Sequence, residues 1–340
     1  MLNRASFDVQ EIHVRKDEST GLVAVVALDK PEQQPALGGC RCIAYESFDD
    51  AVADAIRLAK AMSRKNYFSQ LPFTGGKAVL MRPAQIFDRE AYFRAFGRFV
   101  ETLGGRFVTG CDSGVSESDM RFAAMQTRYI TGFKPSESDR DMLSYLTALG
   151  VSRAMTAAAE VKFGTGDLSK LHIAIQGVGK VGYFLSEIIH ERGGALTICD
   201  KDAELAAHCA KQFNAKLMHW SDIYDAPCDV FAPCGIGGAL NFKSIPPLEA
   251  ALVWGAGKNQ LFDGATEGSG FDRGIDYIPD FIANAGGAMY AAGSYLKRPF
   301  DEIKNDVQSR IYKTVRELCE ESRRDRVPVL RRANQLFAGS

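Results

Sequence analysis

Residues 172–200 read HIAIQGVGKVGYFLSEIIHERGGALTICD. A short apolar run, HIAIQ, leads directly into Gly177-Val178-Gly179-Lys180-Val181-Gly182, and apolar positions at helical spacing follow. A second apolar run, LTICD, ends on Asp200, about 20 residues past the glycines. A G-x-G-x-x-G alone is weak evidence, because glycines also serve plain strand-to-helix turns. Here a strand precedes it, a helix follows it, and an acid closes the unit, as in a dinucleotide-binding βαβ element. The glycines let backbone and helix N-terminus approach a pyrophosphate, and the carboxylate accepts hydrogen bonds from a ribose 2′-hydroxyl. Asp200 repels a 2′-phosphate, so NAD is favoured over NADP, with Lys201 beside it softening the preference.

The surrounding chain has the same rhythm. From about Leu143 a helix is followed by short apolar runs that end in turn residues: HIAIQG, LTICD, AKLMH, DVFAPC, ALVWGAG and DYIPD. Helical stretches separate most of them, which predicts parallel strands joined by crossovers in a doubly wound sheet. Glycines gather just past several strands, at 177–182, 235–238 and 255–257, where an open α/β sheet has its ligand crevice. After Pro299, Phe300, Ile303, Val307, Ile311 and Val315 keep one register, which predicts a long amphipathic helix connecting back to the first domain.

Before residue 143 the pattern is mixed α/β. GLVAVVAL, GGCRCIAY, KAVLM and GRFVT read as strands. One helix starts at Ser47, an N-cap with Asp50 three residues on, buries Val52, Ala55, Ile56, Ala59 and Met62, and ends near Lys65. A second, REAYFRAFGRFVETLG, stops at Gly104-Gly105.

The bulk numbers exclude several function classes. The chain has 340 residues, enough for roughly two domains. With 41 basic against 42 acidic residues it carries no electrostatic footprint for nucleic acid or an anionic membrane. The first residues lack a secretory apolar stretch and no run approaches the roughly 18 residues of a membrane span, so a cytoplasmic protein is expected. Eight cysteines form no C-x-x-C pair, and the five histidines form no ligand spacing with them. Chemistry without a protein-bound metal is expected.

Polar residues in the first domain narrow the choice. In FTGGKAVLM, residues 73–81, Lys77 stands at the head of an apolar strand; Lys65 lies in MSRKN at a helix end; Asp112 follows the strand GRFVT in TGCDSG. Singly each has a bland role, as a charge opposing a helix dipole or as a turn aspartate. Together with LGGCR at 37–41, GVGKVG, FAPCGIGG at 231–238, KNQL at 258–261 and PDFIANAGG at 279–287, they resemble the amino acid dehydrogenases that act on glutamate, leucine, phenylalanine and valine. The likeness spans nearly the whole chain and is nearest the leucine and phenylalanine branch.

The resemblance implies a fold, a reaction and roles. The fold is α/β with two domains: an N-terminal α/β substrate and oligomerisation domain, 1–135 with 318–340, and a Rossmann-type doubly wound NAD-binding domain, 140–317, with a cleft between them. The reaction is the reversible NAD-dependent oxidative deamination of an apolar L-amino acid to its 2-oxo acid and ammonia, by a homo-oligomer. Lys65 binds the substrate carboxylate, Lys77 activates water, and Asp112 shuttles protons. Leu37, Gly38, Gly39, Gly110, Asn259, Asn284, Ala288 and Ala291 fall to the substrate. Thr147, Gly177, Val178, Gly179, Lys180, Val181, Gly182, Asp200, Cys234, Gly235 and Asn259 fall to the cofactor. Leu37 replaces the lysine by which glutamate enzymes hold a side-chain carboxylate, which implies an apolar substrate. Gly110, Ala288 and Ala291 are smaller than the residues usual in leucine enzymes, so the side-chain pocket is either roomier, admitting phenylalanine, or filled by neighbours such as Met289 and Tyr290 or by shifted backbone. Thr74, Cys111 and Ser144-Tyr145-Leu146-Thr147 depart from the family pattern. Two alternatives stay open: an NAD-binding sensor or assembly subunit without turnover, and a 2-hydroxy-acid dehydrogenase.

Overall fold

A computed structural model describes residues 11–32, 34–132, 141–235, 238–257, 260–261 and 272–339. The chain divides into two units: one runs to Leu143 and includes Ala288–Ile303, and the other holds Ser144–Gly287 and the residues from Lys304 on.

In the first unit, β1 (Glu11–Asp17), β2 (Leu22–Asp29), β3 (Ala36–Ile43), β4 (Thr74–Met81) and β5 (Phe107–Cys111) form one sheet in the order β1-β2-β4-β3-β5. β1 with β2 and β2 with β4 are antiparallel, while β3 runs parallel to both β4 and β5. Three helices accompany it: α1 (Phe48–Phe68), α2 (Arg89–Thr102) and α3 (Glu117–Ala124). β2 is apolar on both faces because both are covered. Its Val25 and Ala27 join Ala51, Ala55 and Ala59 of α1, whose small residues at four-residue spacing let the helix lie close to the sheet. Its Ala24, Val26 and Leu28 join Tyr92, Phe93 and Phe96 of α2 on the other face. Ser47 caps α1 by accepting from the Asp50 N–H, as expected, and Gly104 with φ 60° follows α2. β1 is not among the strands anticipated from sequence. EIHVRKD is an edge strand whose charges face solvent, so it lacks the apolar run that marks its neighbours.

In the second unit α4 (Met142–Phe163) precedes β6 (His172–Gln176), α5 (Lys180–Glu191), β7 (Ala195–Cys199), α6 (Ala203–Gln212), β8 (Lys216–Leu217), β9 (Val230–Pro233), β10 (Leu252–Val253) and β11 (Asp276–Tyr277). The strands are all parallel, in the order β11-β10-β9-β6-β7-β8. The order reverses at β6, and the crevice past the β6 and β9 ends is where such a sheet takes its ligand.

The expected domain boundaries need two corrections. Residues 288–303 belong to the first unit: in the helix Gly286–Tyr295, Ala292 completes a buried cluster with Leu37, Phe73 and Val108, and the Thr131 hydroxyl donates to Ala291 O at 2.7 Å. Residues 318–340 do not return to the first domain. From Lys304 on, the helix Phe300–Asp325 and the helix Val329–Ala338 stay with the second unit. Arg323 donates to Val161 O at 2.8 Å, and Leu330 packs on the cluster holding Ile275 and Tyr277. Ile303, Val307, Ile311 and Val315 are buried as predicted, whereas Phe300 is exposed. No helix among the described residues is long and apolar enough to cross a membrane.

Candidate active site

Two of the three expected catalytic side chains meet. Nζ of Lys77, on β4, stands 2.5 Å from Oδ2 of Asp112, the residue after β5, and their side chains are only 5% and 3% exposed. A lysine at the head of a buried strand is therefore compensated by a carboxylate delivered from two strands away. β3 lies between β4 and β5 and runs parallel to both, so that Cys40 stands opposite Ala78 and Cys111, one residue after Lys77 and one before Asp112.

The glycines around the pair are close-approach residues. Thr74, Gly75 and Gly76 belong to β4 itself rather than to a turn before it. A Cβ on Gly75 would lie 2.2 Å from Ala59 O on α1, and one on Gly76 would lie 2.8 Å from the Phe107 ring. A Cβ on Gly38 would meet Gly76 O at 1.7 Å. Gly39 faces the pair itself: its Cβ would stand 2.9 Å from Asp112 Cβ and 3.3 Å from Lys77 Nζ.

The last turns of α1 fasten the start of β4. Ser63 Oγ accepts from the Gly75 N–H at 3.0 Å and donates to Asp29 Oδ2 at 2.5 Å. Asn66 Nδ2 donates to Thr74 O at 2.7 Å and to Leu37 O at 3.2 Å. Lys65, half-buried, lies between Ser63 and Asn66 in the last turn of α1.

Arg41 is a site residue that sequence reasoning did not single out. Its Nε lies 3.5 Å from Asp112 Oδ2 and its Nη1 lies 2.9 Å from Asp54 Oδ2 on α1. Tyr45 donates its hydroxyl to the same Asp54 oxygen at 2.7 Å, and Arg57 Nη2 lies 2.5 Å from the other. Burial alone would raise the Asp54 carboxyl, but the Tyr45 hydroxyl and the two guanidinium groups outweigh it and hold it below the ordinary range. The signal was present in the alternation of β3: Cys40 and Cys42 join the core on the α2 side, so Gly39 and Arg41 face α1.

The residues expected to line the side-chain pocket differ in their surroundings. Leu37 is buried against Phe73, Val108 and Ala292, and Ala288 and Ala291 are half-buried on the helix Gly286–Tyr295. Gly110 opens no space, because a Cβ there would stand 2.4 Å from Thr131 O. Backbone already occupies the room that the missing side chain leaves.

In the second unit the glycine loop joins the end of β6 to the start of α5. Gly177 has φ 96°, a conformation that favours glycine. A Cβ on Gly182 would lie 2.0 Å from Gly177 O, and one on Gly177 would lie 2.8 Å from Gly235 N, so the loops after β6 and β9 touch at the switch point. Gly179 caps α5 with no side-chain bond to the helix amides, and a Cβ on it would meet nothing within 4 Å. Val181 and the exposed Lys180 begin α5. Asp200, at the end of β7, accepts from Val178 N at 2.7 Å and from Asp202 N at 3.0 Å. A carboxylate has about four acceptor sites, so capacity for a ribose diol remains. Open space before an uncapped helix N-terminus and an acceptor beyond it fit a dinucleotide.

The other expected cofactor and substrate residues have internal partners. Cys234 Sγ accepts from Ala256 N at 3.5 Å, and burial pushes its thiol up to about 12. Asn284 is buried and donates to Ala256 O at 3.2 Å and Gly257 O at 3.4 Å. Thr147 is buried on α4, and Asn259 lies outside the described residues. Sequence reasoning also missed Trp220, whose indole stands beside Gly235 and 5.2 Å from Lys201 Nζ.

Residues 8–129 match the Glu/Leu/Phe/Val dehydrogenase dimerisation domain. The chain is 35% identical over 331 residues to a leucine dehydrogenase of Geobacillus stearothermophilus, covering 97% of this chain and 90% of that one. It is 36% identical over 331 residues to a valine dehydrogenase of Streptomyces coelicolor, covering 96% and 90%. The chain belongs to the Glu/Leu/Phe/Val dehydrogenase family. Among solved structures it is similar to an L-tryptophan dehydrogenase from Nostoc punctiforme, with a TM-score of 0.85 and 29% identity over 98% of this chain and 95% of that one.

Against the Glu/Leu/Phe/Val dehydrogenase pattern, the departures around Lys77 are structurally quiet. Thr74 takes extended backbone at the first position of β4, paired with Ala36, and its hydroxyl donates to Gln34 O at 3.3 Å. Cys111 is half-buried, pairs with Cys40 across β3 and β5, and packs on the α2-side core.

Proposed function

We propose that this chain oxidises an apolar L-amino acid, with NAD and water, to a 2-oxo acid, ammonium, NADH and a proton. The buried Lys77–Asp112 pair, in a chain similar over nearly its full length to leucine and valine dehydrogenases, carries the reading. The glycine loop at 177–182, Asp200, Cys234 and Gly235 are the residues assigned to NAD, with Thr147 and Asn259 toward the nicotinamide amide. NAD, when bound, supplies the hydride acceptor for the substrate Cα.

The residues divide the remaining work. Lys65 pairs with the substrate α-carboxylate and fixes which bonds at Cα are presented. Asp112 accepts a proton from the substrate ammonium and returns one to the departing amine. Loss of hydride from Cα leaves an iminium that water must attack; Lys77, as the free amine, takes the proton from that water. Lys77 can do so only after shedding its own proton, which near-complete burial favours and the adjacent Asp112 carboxylate opposes.

Leu37 on the pocket wall favours an apolar side chain over a carboxylate, and the small Ala288 and Ala291 admit aromatic ones. The similar tryptophan dehydrogenase makes L-tryptophan part of the substrate panel. The match to a dimerisation domain supports self-association, and we place the protein in the cytoplasm, with NAD and the 2-oxo acids. NADH formation is measured with L-valine, L-leucine, L-phenylalanine, L-tryptophan and L-glutamate, and NADH consumption with the matching 2-oxo acids with and without ammonium. Turnover of at least one apolar substrate, dependent on ammonium in the reverse direction and absent with glutamate, is expected. No turnover on any of them contradicts the proposal.

A further inference from the structure

We infer that Arg41 is a positioning residue: its guanidinium shares the Asp112 carboxylate with Lys77 and thereby sets the pH at which Lys77 becomes a free amine. This deepens the proposed function and rests on the role given there to the Lys77–Asp112 pair.

The geometry carries it. Asp112 Oδ2 lies 2.5 Å from Lys77 Nζ and 3.5 Å from Arg41 Nε, so one carboxylate oxygen faces two cations. Arg41 Nε is buried and makes no hydrogen bond, although Nη1 of the same group is bonded to Asp54 at 2.9 Å. A buried donor without a partner carries an uncompensated desolvation cost. This one lies 3.5 Å from the acid whose partner the proposed reaction requires to lose its charge.

That requirement gives Arg41 its task. Once Lys77 is neutral, Asp112 is a carboxylate with a side chain only 3% exposed, and such a charge is costly without a counter-ion. A guanidinium stays protonated at every working pH, so Arg41 remains as counter-ion while Lys77 gains and loses its proton. The arginine acts on Lys77 in two ways of the same sign. Its positive charge disfavours the ammonium, and its hold on Asp112 weakens the carboxylate's pull on that ammonium.

Asp54 opposes this from the other end of the guanidinium. It draws on Arg41 and is itself held by Tyr45 and Arg57. Charged and titratable groups on the elements packed around Lys77 include Asp29 on β2, Cys40, Arg41 and Cys42 on β3, Asp54, Arg57 and Lys65 on α1, and Cys111 and Asp112 at the end of β5. Burial keeps the Cys40 thiol far above its ordinary range, so it stays neutral. Arg41 and Asp54 are the members whose substitution changes the charge beside Asp112 without touching either reacting group.

The test uses the full chain with Arg41→Gln, Arg41→Lys and Asp54→Asn. Trace acetylation of Lys77 by acetic anhydride is followed across pH by peptide mass spectrometry, which reads the free-amine fraction without turnover. The kcat/KM profile for amino acid oxidation is recorded beside it. Arg41→Gln should move the labelling midpoint up by about one pH unit, and Arg41→Lys should restore most of that shift. Asp54→Asn should move it down by about half a unit, because Arg41 is released toward Asp112. Midpoints that stay put in both Arg41→Gln and Asp54→Asn, or that move in the same direction, overturn the inference. If Arg41→Gln does not fold, a midpoint that fails to fall in Asp54→Asn overturns it alone. If labelling shifts as stated while no amino acid is oxidised by the wild type, the proposed reaction fails and the coupling among Arg41, Asp112 and Lys77 stands.

Discussion

Gly39 lies so close to Asp112 that a Cβ on it would stand 2.9 Å from the Asp112 Cβ, against 3.3 Å from Lys77 Nζ. Gly39→Ala must displace the carboxylate from the lysine. An error of this size in a reacting geometry costs about 100-fold in rate, and the overpacking costs about 1–3 kcal/mol of stability. Steady-state kinetics and urea unfolding of Gly39→Ala measure both. A variant with wild-type kcat would mean that the pair tolerates separation.

The loop at 177–182 contains two glycines with different reasons to be glycine. Gly182→Ala drives a Cβ toward Gly177 O, 2.0 Å away, and should lose about 2 kcal/mol of stability. Gly179→Ala meets nothing within 4 Å and has φ −62°. It should unfold within about 0.5 kcal/mol of wild type yet bind NADH about tenfold more weakly, because the new methyl enters the space before the α5 amides. Urea unfolding and NADH titration distinguish the two; equal NADH affinity in wild type and Gly179→Ala would remove the glycine loop from the cofactor site.

Acid sensitivity of the first unit should centre on Asp119. Arg89 Nη2 lies 2.5 Å from its Oδ2, and Ser116 donates its N–H to the same oxygen at 2.8 Å in the box that caps α3. Burial would raise this carboxyl, but the Arg89 guanidinium and the Ser116 bonds outweigh it and hold it below the ordinary range. A carboxyl depressed on folding stabilises fully above its unfolded pKa, roughly 4, and loses that contribution as pH falls through the folded value. Asp119→Asn should cost about 2 kcal/mol at pH 7 and show a shallower loss of stability below pH 4 than wild type. Parallel stability–pH curves for the two proteins would assign the acid loss elsewhere.

Lys201 follows Asp200, the residue proposed to hold the ribose, and would answer a 2′-phosphate, but its Nζ stands 5.2 Å from the centre of the Trp220 ring. A cation over an indole at the surface is held by about 0.5–1 kcal/mol. Trp220→Leu should therefore raise NADPH affinity relative to NADH by about fivefold. Of the two tryptophans in the chain, Trp254 is fully buried, so loss of the fluorescence change on NADH binding in this variant should accompany the shift. An unchanged NADPH to NADH ratio would show that Trp220 does not restrain Lys201.

The second unit was readable because its constraints are local. The loop at 177–182 and Asp200 belong to one unbroken stretch, and each glycine answers to backbone within it or just across the switch point. The first-unit pair was readable only through family resemblance. Nothing local tells Lys77 that Asp112 will be beside it; β3 must lie between their strands first. Arg41 escaped notice for the same reason, since its partners lie 13 and 71 positions away. An amphipathic register showed that Ile303, Val307, Ile311 and Val315 bury one face, but not against which unit, and the C-terminal residues were assigned to the wrong one. Gly110 read as added pocket volume because a sequence shows a missing side chain and not the Thr131 carbonyl that fills its place. The strand β11 stops after two residues because Pro279, without an N–H, opens the next helix.

Lys77→Met tests the central claim most directly, with NADH formation from the best apolar L-amino acid and NADH affinity measured on the same preparation. Removing the proposed base while leaving the nucleotide unit untouched should lower kcat by at least about 10²–10⁴-fold and leave the NADH Kd within twofold of wild type. A Lys77→Met enzyme that retains wild-type kcat would contradict the assignment of Lys77 as the group that activates water.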